Sequence, residues 1–459
     1  MKVKLLKKEY EIFAPWEKTF NKVMTPFEDF IHNQTTTGKI LMFMTIVALV
    51  LANSPFADDY AHFFHTNFAI TMGNMSIDHS IHHWINDGLM AIFFFLIGLE
   101  IKREILVGEL SNPKNSVLPI LAAVGGMVFP AFIFYYITVG TPAANGWGIP
   151  MATDIAFAIS ALVLLGKRVP AALVTFLVAL AIVDDLGAVT VIAIFYTDQI
   201  HISYLVTALI FFGVLIAFNR FGIHKPLPYF IVGVLMWASM LESGVHATIA
   251  GILTALTIPA KPKFNPKFFH EHINKLVGDY HKAEQNNPGC QLCDTQKAII
   301  QQMESGVHRV QAPLNRLEHS LHLPVALLII PLFALANAGI AINFSEMDSL
   351  LLQPVTLGVM FGLIMGKVIG IAGVSWIAIK LGLAKLPNGS TMSQLFGVSF
   401  LGGIGFTMSI FIADLAWEPD NELLLGAKTG ILIASLIAGL VGFIWLRYIA
   451  KSEVDIQTK

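Results

Sequence analysis

Charge is scarce in this chain. Only 13% of its 459 residues are Asp, Glu, Lys or Arg, against about 25% in an ordinary soluble domain. Hydrophobic residues make up 55%, and mean hydropathy is +0.68. These values exclude a typical soluble fold and indicate an integral membrane protein. Cysteine is nearly absent, and two in the whole chain exclude a disulfide scaffold. No basic patch of the kind that binds nucleic acid is present. The net charge of -2 is uninformative, because distribution matters here and the sum does not. The lysine-rich N-terminus lacks an apolar core or a small-residue cleavage site, so no cleavable signal peptide is expected. The first apolar run, Ile40 to Ala52, is expected to act as an uncleaved signal anchor.

What is present is a series of long apolar runs. Hydropathy predicts twelve spans, near 38–54, 81–101, 116–138, 148–165, 170–196, 202–219, 226–241, 244–260, 323–342, 354–380, 394–413 and 425–448. The seventh and eighth are short. Lys and Arg alternate with the connections. They crowd the tail before the first span (Lys2, Lys4, Lys7, Lys8) and every second loop after it (Lys102, Arg103 and Lys114; Lys167 and Arg168; Arg220 and Lys225), and they are absent between. Lys428, among Glu418, Asp420 and Glu422, is a mild exception. By the positive-inside rule both termini of this multi-pass protein are cytoplasmic. The expected organisation is an N-terminal tail (1–37), a transporter domain (38–448) and a C-terminal tail (449–459). The N-terminal tail is amphipathic and charged, a candidate to lie on the membrane surface.

Only the 261–322 connection is long enough to hold structure outside the bilayer. It carries Cys290 and Cys293 in C-x-x-C spacing. Two reduced cytosolic thiols are the plain reading. A zinc site would need two further ligands, with His270, His272 and His281 nearby, and a redox switch is a third option.

Against this apolar background a few charges stand out. Asp184 and Asp185 are adjacent in the middle of AALVTFLVALAIVDDLGAVTVIAIF (171–195). One charge at such a place costs about 2.5–3.5 kcal/mol on insertion scales. Lys367 lies midway along the tenth span and Asp154 in the fourth. Asp87 sits near the outer end of the second, which Glu100 and Glu104 close on the inside. Such groups must pair, become neutral or line a wet cavity. Tying helices together would account for a single one of them, but it does not call for two adjacent like charges. His246 is more often a packing histidine than a proton carrier. The fourth span also holds Gly148, Pro150 and Thr153-Asp154, and the eleventh reads FLGGIGFTMSIFI with Gly402, Gly403 and Gly405. Interrupted spans in corresponding halves mark transporter sites, because they leave half-helix ends near the midplane. Asp154 and Lys367 are the expected partners of those ends.

Taken together, WINDGLMAIFFFLIGLEIKRE (84–104), GWGIPMATDIAFAIS (146–160), ALAIVDDLGAV (179–189), SGVHATIAG (243–251), RLEHSLH (316–322), PLFALANAG (331–339), GKVIGI (366–371) and GGIGFTMSIFIA (402–413) resemble the NhaA-type sodium/proton antiporters in the family's order. Those antiporters are among the inverted-repeat transporters. The resemblance implies a bacterial inner (plasma) membrane and an all-α integral membrane protein of twelve transmembrane helices, with inverted-topology repeats and two discontinuous helices, the fourth and eleventh. It implies that Asp184 and Asp185 bind cation and protons, that Lys367 pairs with Asp184, and that Thr153 and Asp154 stand at the break of the fourth helix. Asp87 matches a second-helix acid. Glu100, Glu104, His246, Glu318, His319 and His322 fall at the family's pH-responsive cytoplasmic positions. The family also forms homodimers, held partly by the first external loop. Three features depart from the familiar pattern: a longer N-terminal tail, the enlarged 261–322 connection, and a first external loop rich in histidine (His62, His65, His79, His82, His83).

The chemistry expected is competition. A small hard cation, Na⁺ or Li⁺, needs deprotonated oxygens, whereas desolvation favours the neutral acid. One site that opens to one side at a time then exchanges cytoplasmic Na⁺ for external H⁺, with two protons per cation making the cycle electrogenic. No enzyme activity and no cofactor are expected, and the partners are Na⁺, Li⁺, H⁺ and the lipid bilayer. An intramembrane aspartyl protease would need its two aspartates on facing helices, and a channel would need a filter-like run. A sodium-coupled symporter of an organic substrate is the main alternative.

Overall fold

Proline and glycine punctuate the apolar runs, and helices form between them. The structure, a computed structural model, describes residues 34–72, 75–197, 200–263, 265–286, 293–341, 347–417 and 421–450. Helix α1 (Gln34–Ala52) is followed by a short α2 (Ala57–His65) bent 112° away from it. Strands β1 (Asn67–Met72) and β2 (Met75–Ser80) form an antiparallel hairpin pairing Asn67 with Ser80 and Ile70 with Ile77. The hairpin lies in the first connection, which the sequence reading gives only as a histidine-rich external loop. Helix α3 (81–106) follows, with a π-helical turn at Trp84–Leu89. Next come α4 (Pro113–Thr138), α5 (Pro142–Leu165), α6 (Ala171–Phe195), α7 (Ile202–Arg220), α8 (Pro226–Leu241) and α9 (Thr248–Thr257). Proline at the first helical position starts several of these, since its missing N–H is unpaired there in any case.

The enlarged connection contains two helices, α10 (Pro266–Asn286) and α11 (Asp294–Val310). They pack on one another around Leu276, Ala283 and Ile299. Cys290 lies outside the described residues. Apart from a five-residue helix at Met347–Leu351, the remaining helices are α12 (Pro313–Asn337), α13 (Pro354–Lys380), α14 (Met392–Leu401), α15 (Phe406–Ala416) and α16 (Glu422–Ile449).

The chain is mainly helical. Seven helices among the described residues are long and apolar enough to cross a bilayer, or up to nine if each bent pair counts as one span. The boundaries differ from the hydropathy reading in two informative places. Helix α12 starts at Pro313, ten residues before the predicted ninth span, because a polar face does not prevent a helix from continuing into water. Helix α9 has ten residues, about 15 Å of rise, well short of a bilayer core of about 30 Å. Lys102, which hydropathy treats as a loop charge, donates to the carbonyls of Leu256 (2.7 Å) and Ile258 (2.5 Å) and so caps the end of α9.

Most of the membrane-length helices, α4, α6, α7, α13 and α16 among them, are apolar on all sides. Phe134, Ile149, Leu180, Leu363, Phe411 and Ile431 are buried in one continuous core, while Phe132 and Ile210 are more than half exposed on α4 and α7. An outer surface of that kind suits lipid. Helices α4 and α13 meet backbone to backbone. A Cβ on Gly370 would lie 2.2 Å from the Gly125 carbonyl oxygen, and one on Gly125 would lie 2.3 Å from that of Gly370. Only glycine permits that approach, and it seats Lys367, one turn away, against α4.

Candidate functional site

Helix α5 starts as a 3-10 segment, Pro142–Met151, leaves helical conformation at 152–154 and resumes at Ile155. A similar interruption separates α14 from α15, where the two axes meet at 45°. The two irregular stretches hydrogen-bond to each other. The Asp154 amide donates to the Ile404 carbonyl (2.6 Å), and the Ser409 hydroxyl donates to the Ile149 carbonyl (2.8 Å).

Asp154 spans the junction. Its Oδ1 accepts the Phe157 amide (3.1 Å) in the first turn of the resumed α5. Its Oδ2 accepts the Thr407 amide (3.0 Å) and hydroxyl (2.5 Å) in the first turn of α15. One carboxylate therefore caps two helix N-termini, where charge and free amides both favour an anion.

Lys367 lies against Asp184, the partner the family resemblance implies, and among the described residues it bonds no helix-end carbonyl. Its ammonium donates to Asp184 Oδ2 and to the Thr153 hydroxyl (3.0 Å). An ionic partner offers a buried ammonium more than a neutral carbonyl does. The Thr153 hydroxyl stands 2.7 Å from Asp184 Oδ2 and 2.8 Å from the Gly402 carbonyl oxygen. It has one proton, so at any moment it donates to one of the two. The α4–α13 glycine contact and the break at 152–154 thus bring Lys367 and Thr153 to the middle of α6.

Asp184, Asp185, Thr153, Asp154 and Lys367 are all at least 98% buried. Asp184 Oδ1 and Asp185 Oδ1 lack a hydrogen-bond partner among the described residues, and Asp185 enters no ion pair there. The two adjacent acids therefore differ: one is held by a cation, and the other is unpaired. A cavity of about 520 Å³ opens between α3, α5 and α6, lined by Glu104, Glu109, Gly166, Ala171 and Ala179 among others. Ala179 is five residues, or about 8 Å along the helix, from Asp184.

Residues 28–446 match the sequence profile of the family described as Na+/H+ antiporter 1. The chain is 63% identical over 444 residues to the Na(+)/H(+) antiporter NhaA of Sulfurimonas denitrificans, covering 96% of this chain and 99% of that protein. It is 51% identical to the Na(+)/H(+) antiporter NhaA 1 of Saccharophagus degradans, covering 96% of both. It is 46% identical to the Na(+)/H(+) antiporter NhaA of Dichelobacter nodosus, covering 97% of both. The chain belongs to the NhaA-type Na⁺/H⁺ antiporter family.

The remaining residues that the sequence singles out in this NhaA-type chain divide between two ends. At one end, Arg103 meets Glu104 Oε1 and Glu318 Oε1, each at 2.9 Å, and Glu104 Oε2 accepts the Glu109 amide (2.9 Å). Glu100, one turn inward, is within electrostatic reach of both Glu318 and Asp185. His319 and His322 are exposed on α12. His246 does not join this group. Its Nε2 lies 2.5 Å from the Tyr196 carbonyl oxygen, at the far end of α6 from the cavity beside Glu104. Helix α6 has 25 residues, so the separation is roughly 35 Å. The alternation of loop charge already pointed this way, since the connection just before His246 carries no Lys or Arg; the cytoplasmic placement came from the family resemblance. Asp87 shares that far end, 3.1 Å from His83 Nε2.

Two features of this NhaA-type fold escape the sequence reading. Thr407 lies in a quoted motif, but only the fold shows it against Asp154. Asp414 falls one residue beyond the predicted eleventh span. It forms a 2.7 Å ion pair with Lys428, with side chains 7% and 14% exposed. The apparent exception in loop charge is therefore a neutralised, largely buried lysine. Among the described residues no group of three or more His, Cys, Asp or Glu is arranged to hold a metal ion.

Proposed function

We propose that this protein exchanges cytoplasmic Na⁺, or Li⁺, for external H⁺ across the bacterial inner membrane, with cation and protons competing at Asp184 and Asp185. Na⁺/H⁺ exchange follows from membership of the antiporter family. The observation that supports the site is the asymmetry of the pair: Lys367 holds Asp184, and Asp185 is buried with an unpartnered oxygen beside it.

In this reading Asp185 is the first carboxylate to take a proton or a bare cation. A cation bound there draws on Asp184 as well and displaces the Lys367 ammonium. When Asp184 no longer accepts, the Thr153 hydroxyl turns to the Gly402 carbonyl, which changes the contact between α5 and the 402–405 stretch. Release of two protons per cation, from Asp185 and either Asp184 or Lys367, makes the cycle electrogenic, so inward proton flow drives Na⁺ out. Asp154 stays in place as the fixed charge for the two helix N-termini. Glu100, Glu104, Glu318, His319 and His322 surround the cytoplasmic entrance and make its pH response, and the cavity beside Glu104 is the route of entry. The full membrane domain has twelve spans in inverted repeats, with α5 and the α14–α15 pair as the two discontinuous ones. Both termini are cytoplasmic, and a second copy pairs through the β1–β2 hairpin.

A symporter of an organic substrate would need a roomy polar pocket at the acids. The cavity beside Glu104 and the second one, of about 590 Å³ near Gln353 and Glu422, are lined by neither Asp184 nor Asp185. The test is Na⁺-induced proton movement in everted vesicles without any organic solute. Asp185→Asn is expected to abolish it, and unchanged exchange in that variant would remove the carboxylate mechanism.

A further inference from the structure

The exchange chemistry leaves the histidines of the first external segment unused, and the fold sorts them into two groups. His65 and His82 stack at 6.4 Å on one side, with His82 Nε2 2.8 Å from Asn337 Oδ1. On the other side β2 ends at Ser80, whose hydroxyl accepts the His83 amide (3.2 Å) and starts α3. That turn folds His79 back onto His83. The two rings lie 4.3 Å apart, centroid to centroid, at an interplanar angle of 18°. One helical turn further in, Asp87 Oδ2 stands 3.1 Å from His83 Nε2. Exposure falls along the row, from 45% for the His83 side chain to 16% for Asp87. The Trp237 indole donates to the Asp87 carbonyl (3.0 Å) and ties the turn to α8.

We propose that His79, His83 and Asp87 form a proton-binding site at the outer mouth, which makes exchange responsive to external pH independently of the cytoplasmic end. This rests on the proposed exchange and on the outward orientation of this end. Two imidazolium rings stacked at this distance repel each other strongly, so the pair takes up one proton first. Among the described residues the Asp87 carboxylate pairs with His83 and not with His79, which directs the proton there. His79 is held below the ordinary histidine range by burial and by the adjacent His83. The other titratable groups facing the triad are Asp78 on β2, Glu242 after α8 and His246 before α9. The first two add negative charge. Without the proton the mouth carries the bare Asp87 carboxylate, which detains a departing Na⁺. With the proton the His83–Asp87 pair is neutral, and Na⁺ leaves more readily.

The experiment uses the purified full-length protein in liposomes, with internal pH clamped, external pH varied from 5 to 9, and Na⁺ efflux measured. The parent protein is expected to show an inflection in the histidine range of external pH. His83→Gln should remove that inflection and leave the rate at its alkaline-side value. His79→Gln removes a ring that is neutral while His83 takes the proton, so the inflection should stay in place. Asp87→Asn should move it down. Neither histidine variant should alter the internal-pH profile. An inflection that persists in His83→Gln, or that does not move in Asp87→Asn, overturns the proposal; if His83→Gln does not fold, the Asp87→Asn shift decides it. A parent that moves no protons against Na⁺ would instead sink the exchange reading itself.

Discussion

Asp154 holds Thr407 through one carboxylate oxygen, which takes the threonine amide at 3.0 Å and its hydroxyl at 2.5 Å. The other oxygen caps the second half of α5. Two helices that start far apart in sequence therefore depend on one charge. Asp154→Asn keeps the shape but removes the charge and replaces one acceptor with a donor. At least one N-terminal amide then loses its partner, at about 1–3 kcal/mol. A lower thermal midpoint of the detergent-purified protein is expected. Thr407→Val, which keeps the amide bond, should cost less, about 0.5–1.5 kcal/mol. Equal losses in the two variants would mean that the carboxylate is not the shared cap.

Asp184 and Asp185 should respond oppositely when neutralised. Asp185→Asn removes a buried acid with an unpartnered oxygen and no ion pair, so thermal stability should hold or rise while Na⁺/H⁺ exchange is lost. Asp184→Asn leaves the Lys367 ammonium without its carboxylate and should lower stability. Thermal unfolding of both variants in one detergent checks this, and the same ranking of the two would remove the asymmetry argued for the site.

Lys367→Ala strips the partner from Asp184 at a fully buried position. Breaking a buried pair from one side typically costs about 3–5 kcal/mol. The variant should be recovered in lower yield, with a clearly reduced unfolding midpoint and weakened coupling of Na⁺ to H⁺. Full stability with full exchange would show that Asp184 has another partner.

The Asp414–Lys428 pair lies away from the exchange site and supports a cleaner cycle. Asp414→Ala and Lys428→Ala should each destabilise by about 3–5 kcal/mol, while replacing both with apolar residues should be close to neutral. Additive losses in the double variant would show that the two side chains do not interact.

Gly370→Ala places a carbon 2.2 Å from the Gly125 carbonyl oxygen. Backbone cannot give way as a side chain does, so α4 and α13 must separate. Overpacking of this kind costs about 1–3 kcal/mol, and it should also move Lys367 and weaken exchange. A Gly370→Ala variant with parental stability would mean that the contact is looser than described.

The sequence by itself determined the solvent of this protein, most of its helices and the identity of its buried charges. Those follow from local sums, since apolar length sets whether a segment can cross a bilayer and an acid among aliphatic residues stands out wherever the chain goes. The motifs also sufficed for the family. Tertiary structure alone decided the contacts those charges make: the Thr153 hydroxyl beside Lys367 and Asp184, the Thr407 amide and hydroxyl on Asp154, and Asp414 on Lys428. Pairing depends on which helix faces come within about 3 Å of one another, and that is set by backbone contacts such as Gly125 with Gly370, which no periodicity along one helix encodes.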